Sequence, residues 1–126
     1  MLGDCSLIGL VATAHPERAE VFDRETLGLR LLANEPFALV FDAAGTILRV
    51  ANVREMTPAP YTVLGWRVGD IRAAVESLGK RDVTFESFEQ LLQDELGIWT
   101  SPGGGKVAWF KDPDGNTLSL TQFPAE

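Results

Sequence analysis

Residues 107–115 carry the sequence VAWFKDPDG, which predicts a short apolar strand followed by a tight turn. Residues 37–45, with the sequence FALVFDAAG, match this stretch at a constant offset of 70 and end on the same Asp-x-x-Gly pattern. A strand–helix segment precedes each stretch, and these two segments match at an offset of 55, which places His15 over Asp70. The chain therefore contains two copies of one order of elements: a strand, a helix and three further strands.

The two copies are joined by residues 54–60, where two prolines interrupt any strand and indicate a linker. Within a single domain of 126 residues, repeat one spans residues 6–53 and repeat two spans residues 61–123. The two offsets differ by 15 residues, and this extra length lies in the second repeat across residues 86–105. A loop of that length is usually functional or mobile. Because neither repeat can cover its own sheet, we expect the two to pack together.

Local signals place the remaining elements. Residues 16–27 are predicted to form the first helix, which ends at Gly28. Residues 71–78 are predicted to form the second helix, and Asp70 is its expected N-cap. Residues 83–85 are predicted to form a short strand, and the insert that follows has apolar spacing for one helical turn.

Composition excludes several classes of partner. The chain has 18 acidic and 11 basic residues, for a net charge of −7, and no basic cluster. A surface of this kind is a poor partner for nucleic acid or for an anionic membrane. The single cysteine excludes an intrachain disulfide and a zinc ribbon. We therefore expect a cytoplasmic protein that binds neither nucleic acid nor membranes.

The only histidine, His15, also narrows the chemistry. A non-haem iron site usually needs two histidines and a carboxylate, which one histidine cannot supply. A serine hydrolase would have to use His15 itself, but Pro16 and Glu17 follow it, and both are favoured in the first turn of a helix. The sequence therefore favours a residue that flanks a helix over a catalytic histidine.

Two further stretches carry a resemblance to a known family. They are FKDPDGNTL at residues 110–118, and PERAEVF at residues 16–22 followed by LGL at residues 27–29. Together with the duplication, they resemble the vicinal oxygen chelate superfamily, the group of glyoxalases, bleomycin resistance proteins and extradiol dioxygenases. The resemblance implies an α+β fold in which two βαβββ modules form a curled mixed sheet with a central cup. It also implies a homodimer.

In that superfamily the metal ligands come from the first and last strands of each repeat and are usually His, Glu or Gln. The corresponding positions in this sequence hold Ile8, Arg49, Val63 and Ser119. None of these side chains is a normal ligand for nickel, zinc, iron or manganese. The departure predicts that the protein has no metal site and no cofactor, and it favours a likeness to the antibiotic-binding members.

Strand alternation extends these four positions to a candidate cup lining. The expected lining is mostly apolar, with two arginines and several hydroxyls, and it consists of Ile8, Leu10, Ile47, Arg49, Val63, Arg67, Trp99, Ser119 and Thr121. Such a pocket suits a small molecule. Either the two arginines meet an anionic ligand, or they pair with acidic neighbours or extend to the cup edge.

The tryptophans leave further alternatives open. Trp99, in the insert, is expected either to form a lid or stacking wall over the cup or to pack on its own module or a partner subunit. Trp109 is expected either to form the floor of the pocket or to lie in the core, and the interpretation as a core residue is favoured.

Three hypotheses of function follow. The first is metal-independent binding or sequestration of a small, anionic molecule. The second is a lyase, isomerase or dioxygenase of the glyoxalase type with an atypical metal site. The third is a regulatory or interaction module whose cup is filled by a neighbouring chain.

Overall fold

The computed structural model describes residues 1–125, and it confirms the α+β class and the duplicated module. The chain divides into two compact units, Met1–Pro58 and the residues from Ala59 onward, so the division lies within the predicted linker 54–60. Each unit contains one α-helix and one four-stranded mixed sheet. The strands therefore form two separate sheets of four.

The first unit has the predicted order of elements. Its elements are β1 (Ile8–Thr13), α1 (Pro16–Val21), β2 (Arg30–Asn34), β3 (Ala38–Ala43) and β4 (Thr46–Asn52), preceded by a 3-10 turn at Leu2–Asp4. The sheet order is β1-β4-β3-β2, with β1 parallel to β4 and the other pairs antiparallel.

The second unit repeats this topology. Its elements are β5 (Thr62–Arg67), α2 (Ile71–Gly79), β6 (Trp99–Thr100), β7 (Lys106–Lys111) and β8 (Thr117–Gln122). The sheet order is β5-β8-β7-β6, and β5 runs parallel to β8. The two sheets are therefore built in the same way, strand for strand.

The first predicted helix changes geometry halfway along. After Val21 the chain forms a π-helical turn, Phe22–Thr26, in which the amide of Leu27 donates to the carbonyl of Phe22 at 2.9 Å. Gly28 then ends the helical segment with a φ of 75°, a conformation that glycine adopts without a Cβ penalty. The predicted stop is thus confirmed, while the turn before it is wider than an α-helix.

Helix α2 begins as predicted at Asp70. The Asp70 carboxylate accepts a hydrogen bond from the amide of Ala73 at 3.1 Å. A second free amide at this end, that of Ile71, donates to Oε1 of Gln122 at 2.9 Å. Because Gln122 ends β8, this bond fixes the start of the helix to the end of the strand that carries Ser119.

The predicted strand at residues 83–85 is wrong. Only an isolated bridge joins Phe85 to Phe110, and the amide of Glu86 donates to the carbonyl of Trp109 at 2.8 Å. The chain then leaves the sheet and returns as β6, so the edge of β7 is paired by two short pieces of chain. Within the described part of the insert, the predicted helical turn is also absent.

The two β-hairpins that carry the matched Asp-x-x-Gly patterns differ in register. In the first unit the loop has two residues, Ala44 and Gly45, both with positive φ, as hairpin loops of that length require. In the second unit Lys111 pairs with Thr117, so the loop has five residues. The change from an even to an odd number of loop residues shifts the strand register by one residue. A residue of β7 therefore lies on the opposite sheet face from the residue of β3 with which it is aligned in sequence.

The second loop is held by one carboxylate. Oδ1 of Asp112 accepts from the amides of Asp114 and Asn116 at 3.0 and 2.9 Å, and Oδ2 accepts from Nδ2 of Asn116 at 2.8 Å. Burial nevertheless raises the pKa of Asp112 above its ordinary value, although the hydrogen bonds act in the opposite direction.

Candidate ligand-binding faces

Each sheet has one well-buried face and one more open face. In the first unit the buried face contains Phe41, Leu48 and Val50, all nearly inaccessible to solvent. The open face carries Leu10 of β1, Arg49 of β4 and Val40 of β3 side by side, because Leu10 pairs with Arg49 and Arg49 pairs with Val40.

Four of the predicted lining residues lie on this open face of the first unit. Ile8 and Leu10 are large apolar residues with 55% and 64% of their surface exposed. Ile47 pairs with Ile8 and is half-buried, as is Arg49. The face therefore presents aliphatic side chains around one guanidinium group.

Arg49 has no charged partner within residues 1–125. None of the ion pairs in that range includes Arg49, and its guanidinium makes no side-chain hydrogen bond there. Pairing with an acidic neighbour, the alternative left open by the sequence, is therefore not what the described residues show. A half-buried cation on an apolar face leaves its hydrogen-bond donors for water or for a ligand.

The open face of the second unit is centred on Ser119 of β8. Ser119 pairs with Gly65 of β5 on one side and with Trp109 of β7 on the other. The next residue of β8 on the same face, Thr121, pairs with Arg67 and Val107. Hydroxyl groups thus form the middle of this face.

The remaining predicted lining residues also lie here. Val63 is 37% exposed and stands two residues before Gly65 on β5, at a point where the pairing with β8 shifts by one residue. Trp99 pairs with Val107, which puts it on the face of Trp109. The open face of the second unit therefore carries Val63, Arg67, Trp99, Ser119 and Thr121 together, and whether they line a common cup with the first unit stays a prediction.

An aromatic cluster stands at one side of this face. The ring centroids of Trp99 and Trp109 are 6.2 Å apart, and Phe88 meets Trp109 edge to face at 5.3 Å. Both distances lie in the range of favourable aromatic contacts. The interpretation of Trp109 as a core residue is wrong, because the odd hairpin loop turns it to the face of Ser119.

Arg67 stands at the opposite side of the same face. Its guanidinium carbon lies 4.2 Å from the centroid of the Phe123 ring, a cation–π geometry. The side chain is exposed and forms no ion pair with any of residues 1–125. The hydrogen-bond donors of the Arg67 guanidinium are therefore available to water or to a ligand.

The insert that carries Phe88 is held by a glutamine. Oε1 of Gln93 accepts from the amide of Phe88 at 2.7 Å, while its Nε2 donates to the carbonyls of Glu86 and Gly97 at 2.9 and 2.8 Å. The Gln93 side chain thus makes hydrogen bonds to the backbone of three other residues of the insert. The insert also reaches α2 through an ion pair.

That ion pair joins Arg72 of α2 to Glu95 of the insert at 2.8 Å. The hydrogen bond from Arg72 lowers the pKa of Glu95, and the hydrogen bond to Glu95 raises that of Arg72. Both groups are exposed, so the pair contributes little to stability.

The four positions that correspond to the superfamily's metal ligands hold side chains that are poor ligands for a metal ion. Ile8 and Val63 have no donor atom, Arg49 is a cation, and Ser119 supplies at most a neutral hydroxyl. Among residues 1–125 there is also no group of three or more His, Cys, Asp or Glu side chains placed to hold an ion. The donor chemistry at these positions does not fit a divalent metal.

A cleft of about 390 Å³ lies beside the start of α2 and is lined by Asp70, Arg72, Asp94, Lys106 and Gln122 among others. Its polar groups largely serve the fold: two of them cap α2, and Asp94 accepts from two amides of its own loop. We therefore assign this cleft a structural role. None of the helices in the described residues is long and apolar enough to cross a membrane.

Sequence reasoning missed three residues of the second open face. The sequence favours the core for Trp109 and does not single out Phe88, while strand alternation alone places Gly65 on the face of Val63. A signal for Gly65 was present, since glycine in the interior of a strand often marks a close approach by another group. Phe88 had no such signal, because its position depends on the fold of the insert.

No protein-family model matches the sequence, and no curated protein matches it. Solved structures do match this chain. TnmS3, an antibiotic binding protein from Streptomyces sp. CB03234, is 29% identical with a TM-score of 0.73, and the match covers 97% of this chain and 98% of that one. A member of the glyoxalase/bleomycin resistance protein/dioxygenase superfamily from Sphaerobacter thermophilus DSM 20745 is 23% identical, with a TM-score of 0.72 and coverage of 94% and 98%.

Lactoylglutathione lyase from Agrobacterium tumefaciens is 16% identical, with a TM-score of 0.64 over 94% of this chain and 93% of that one. At this identity the likeness concerns the fold alone. The comparisons and the topology together confirm the resemblance seen in the sequence: this chain has the fold of the glyoxalase/bleomycin resistance protein/dioxygenase superfamily, the vicinal oxygen chelate group.

Proposed function

We propose that the protein binds or sequesters a small anionic molecule without the help of a metal ion. The observation that carries this proposal is Arg49, a half-buried cation on an apolar sheet face with no ion pair among residues 1–125. Desolvating a guanidinium without a partner is unfavourable, so a ligand carboxylate at this place stabilises both groups.

The chemistry of the four family positions supports the same function. In metal-dependent members an ion polarises the oxygens of the substrate, whereas here the positions hold a cation and a hydroxyl, which bind oxygen directly by hydrogen bonds. In the first unit Ile8, Leu10 and Ile47 supply apolar contact around Arg49, and in the second unit Val63 supplies it on the open face of Ser119. A mostly apolar site with a few placed polar groups is typical for small ligands.

One relative supports binding over turnover. TnmS3 is described as an antibiotic binding protein, and it matches nearly the whole of this chain. We infer from this likeness that sequestration of a small molecule is the role of this protein too. The guanidinium groups of Arg49 in the first unit and Arg67 in the second unit each favour an acid as the ligand.

The experiment is a binding screen in EDTA, with aryl and alkyl carboxylates each paired with its neutral amide. We expect several acids to bind with saturation while their amides bind at least tenfold more weakly. Arg49→Met is expected to abolish the preference for the acids, because it keeps the length and apolar contact of the side chain but removes the charge. Arg18→Met, a change on the exposed side of α1, is the matched control and is expected to have no effect.

Equal binding of acids and amides would contradict the proposal. So would binding that depends on added metal or leads to turnover, either of which would favour a lyase, isomerase or dioxygenase of the glyoxalase type. The predicted homodimer and the predicted cytoplasmic location are part of this proposal, and light scattering on the eluted protein tests the dimer.

A further inference from the structure

The side chain of Ser119 has no partner of its own. The residue is 7% exposed, and no hydrogen bond of its hydroxyl is found within residues 1–125. Its oxygen is not among the fully buried atoms of that range that lack a partner, so it keeps some access to solvent. Ser119 lies on the open face of β8, so a partner is expected from that side.

Residue 65 explains how the hydroxyl can be reached. A Cβ at Gly65 would stand 2.7 Å from Oγ of Ser119, which is closer than real Cβ contacts come. The backbone of Gly65 has no positive φ, so its conformation does not demand glycine. The missing side chain therefore leaves Oγ of Ser119 uncovered on the side of β5, and we call this open place beside Gly65 the recess.

The recess is bordered by the aromatic cluster on one side. Trp109 pairs with Ser119 on the neighbouring strand, about 4.8 Å away, and its ring contacts those of Phe88 and Trp99. Gln93 holds the backbone of Phe88, which sets the orientation of this wall before any ligand arrives. A fixed aromatic surface favours a flat ring over a saturated one.

The recess has a cation on its other side. Arg67 lies two residues along β5 from Gly65, on the same face, and its guanidinium is held over the Phe123 ring. The hydroxyl, the aromatic wall and the cation thus share one face of one sheet.

We propose that this recess is a subsite for a planar aromatic carboxylate, with the ring against Trp109 and a carboxylate oxygen hydrogen-bonded to Ser119. Arg67 supplies the balancing charge. This inference rests on the proposed function, and it narrows the ligand from acids in general to aromatic acids. It also gives Ser119 a direct role at a position where the superfamily usually places a metal ligand.

The test uses the untagged full chain and three probes: 2-naphthoate, its saturated analogue decahydro-2-naphthoate, and neutral 2-naphthamide. Binding is followed by calorimetry and by quenching of tryptophan fluorescence. We expect 2-naphthoate to bind at least tenfold more tightly than either of the other two. Ser119→Ala is expected to weaken 2-naphthoate about tenfold, which is the effect of losing one hydrogen bond to a charged group. Ser77→Ala, on the exposed surface of α2, is the control.

A second variant tests the role of Gly65, where Gly65→Ala alone would place a methyl group 2.7 Å from Oγ of Ser119. In Gly65→Ala/Ser119→Ala the short contact is absent, because the hydroxyl is gone and the next side-chain atom is 4.0 Å away. The added methyl still fills the recess, so binding of 2-naphthoate is expected to fall at least a further tenfold below that of Ser119→Ala.

Equal affinity for the flat and the saturated acid overturns this inference, as does unchanged binding in Ser119→Ala or in the double variant. If the saturated acid binds and needs Arg49 while 2-naphthoate has no advantage, the proposed function stands and the aromatic subsite is wrong. If neither acid binds at millimolar concentration, both proposals are wrong.

Discussion

Replacing Arg49 by methionine is predicted to make the protein more stable. The guanidinium lies between Leu10 and Val40, is half-buried and has no ion pair among residues 1–125. Full desolvation of a charge costs several kcal/mol, but a half-exposed group keeps much of its water. We therefore take the desolvation cost of the Arg49 guanidinium in the folded protein as about 1 kcal/mol. A gain of about 1 kcal/mol raises the melting temperature of a domain of this size by about 4 °C.

The assay is urea unfolding of both proteins at neutral pH, with the free energy compared at equal m-values. Arg67→Met serves as a contrast, since it loses a cation–π contact with Phe123 of about 0.5–1 kcal/mol and is expected to be slightly destabilised. Arg18→Met is expected to change stability by less than about 0.5 kcal/mol. A loss of more than about 1 kcal/mol in Arg49→Met would refute the reasoning, because it would give Arg49 a structural partner.

Three further changes test the fold. Phe110→Ala, at a fully buried ring, is expected to lower the free energy of unfolding by about 3–5 kcal/mol in urea melts, and a loss below about 1 kcal/mol would contradict the packing. Asp70→Ala removes the side-chain cap of α2 and is expected to lower the free energy of unfolding by about 1 kcal/mol in the same measurement. An unchanged free energy of unfolding would mean that the hydrogen bond to Gln122 alone is enough to cap the helix. Burial raises the pKa of Asp112, so between its ordinary and its raised pKa the folded chain holds more protons than the unfolded chain, and stability falls as pH rises through that window. Asp112→Asn is expected to lack this slope in unfolding curves measured from pH ~4 to ~7, and an unchanged slope would assign it to another group.

The duplicated fold could be predicted because turn and cap residues act locally. Asp70 and Gly28 perform the roles that their sequence positions indicate. The offset of 55 holds between β1 and β5, and the offset of 70 holds between β4 and β8 but not between β3 and β7. Leu10 pairs with Arg49 as Gly65 pairs with Ser119, so Arg49 and Ser119 occupy equivalent positions in the two sheets.

The orientation of β7 could not be predicted from the same alignment. The matched Asp-x-x-Gly patterns form loops of two and five residues, and only the backbone shows that difference. A shift of one residue exchanges the two faces of a strand, which is why Trp109 lies beside Ser119 while its counterpart in the alignment, Leu39, is buried. The insert is a second case, since Gln93 holds its backbone with side-chain contacts that no periodic pattern reveals.

The most direct test of the central proposal is the metal content of untagged, purified protein by elemental analysis, combined with a thermal-shift titration of nickel, zinc, manganese and iron. A tag is avoided because it adds ligands of its own. We predict less than about 0.1 metal ion per chain and no rise in melting temperature, because Ile8, Arg49, Val63 and Ser119 offer no ligand set for these ions. One tightly bound ion per chain with a metal-dependent rise in melting temperature would contradict the account and favour an enzyme of the glyoxalase type.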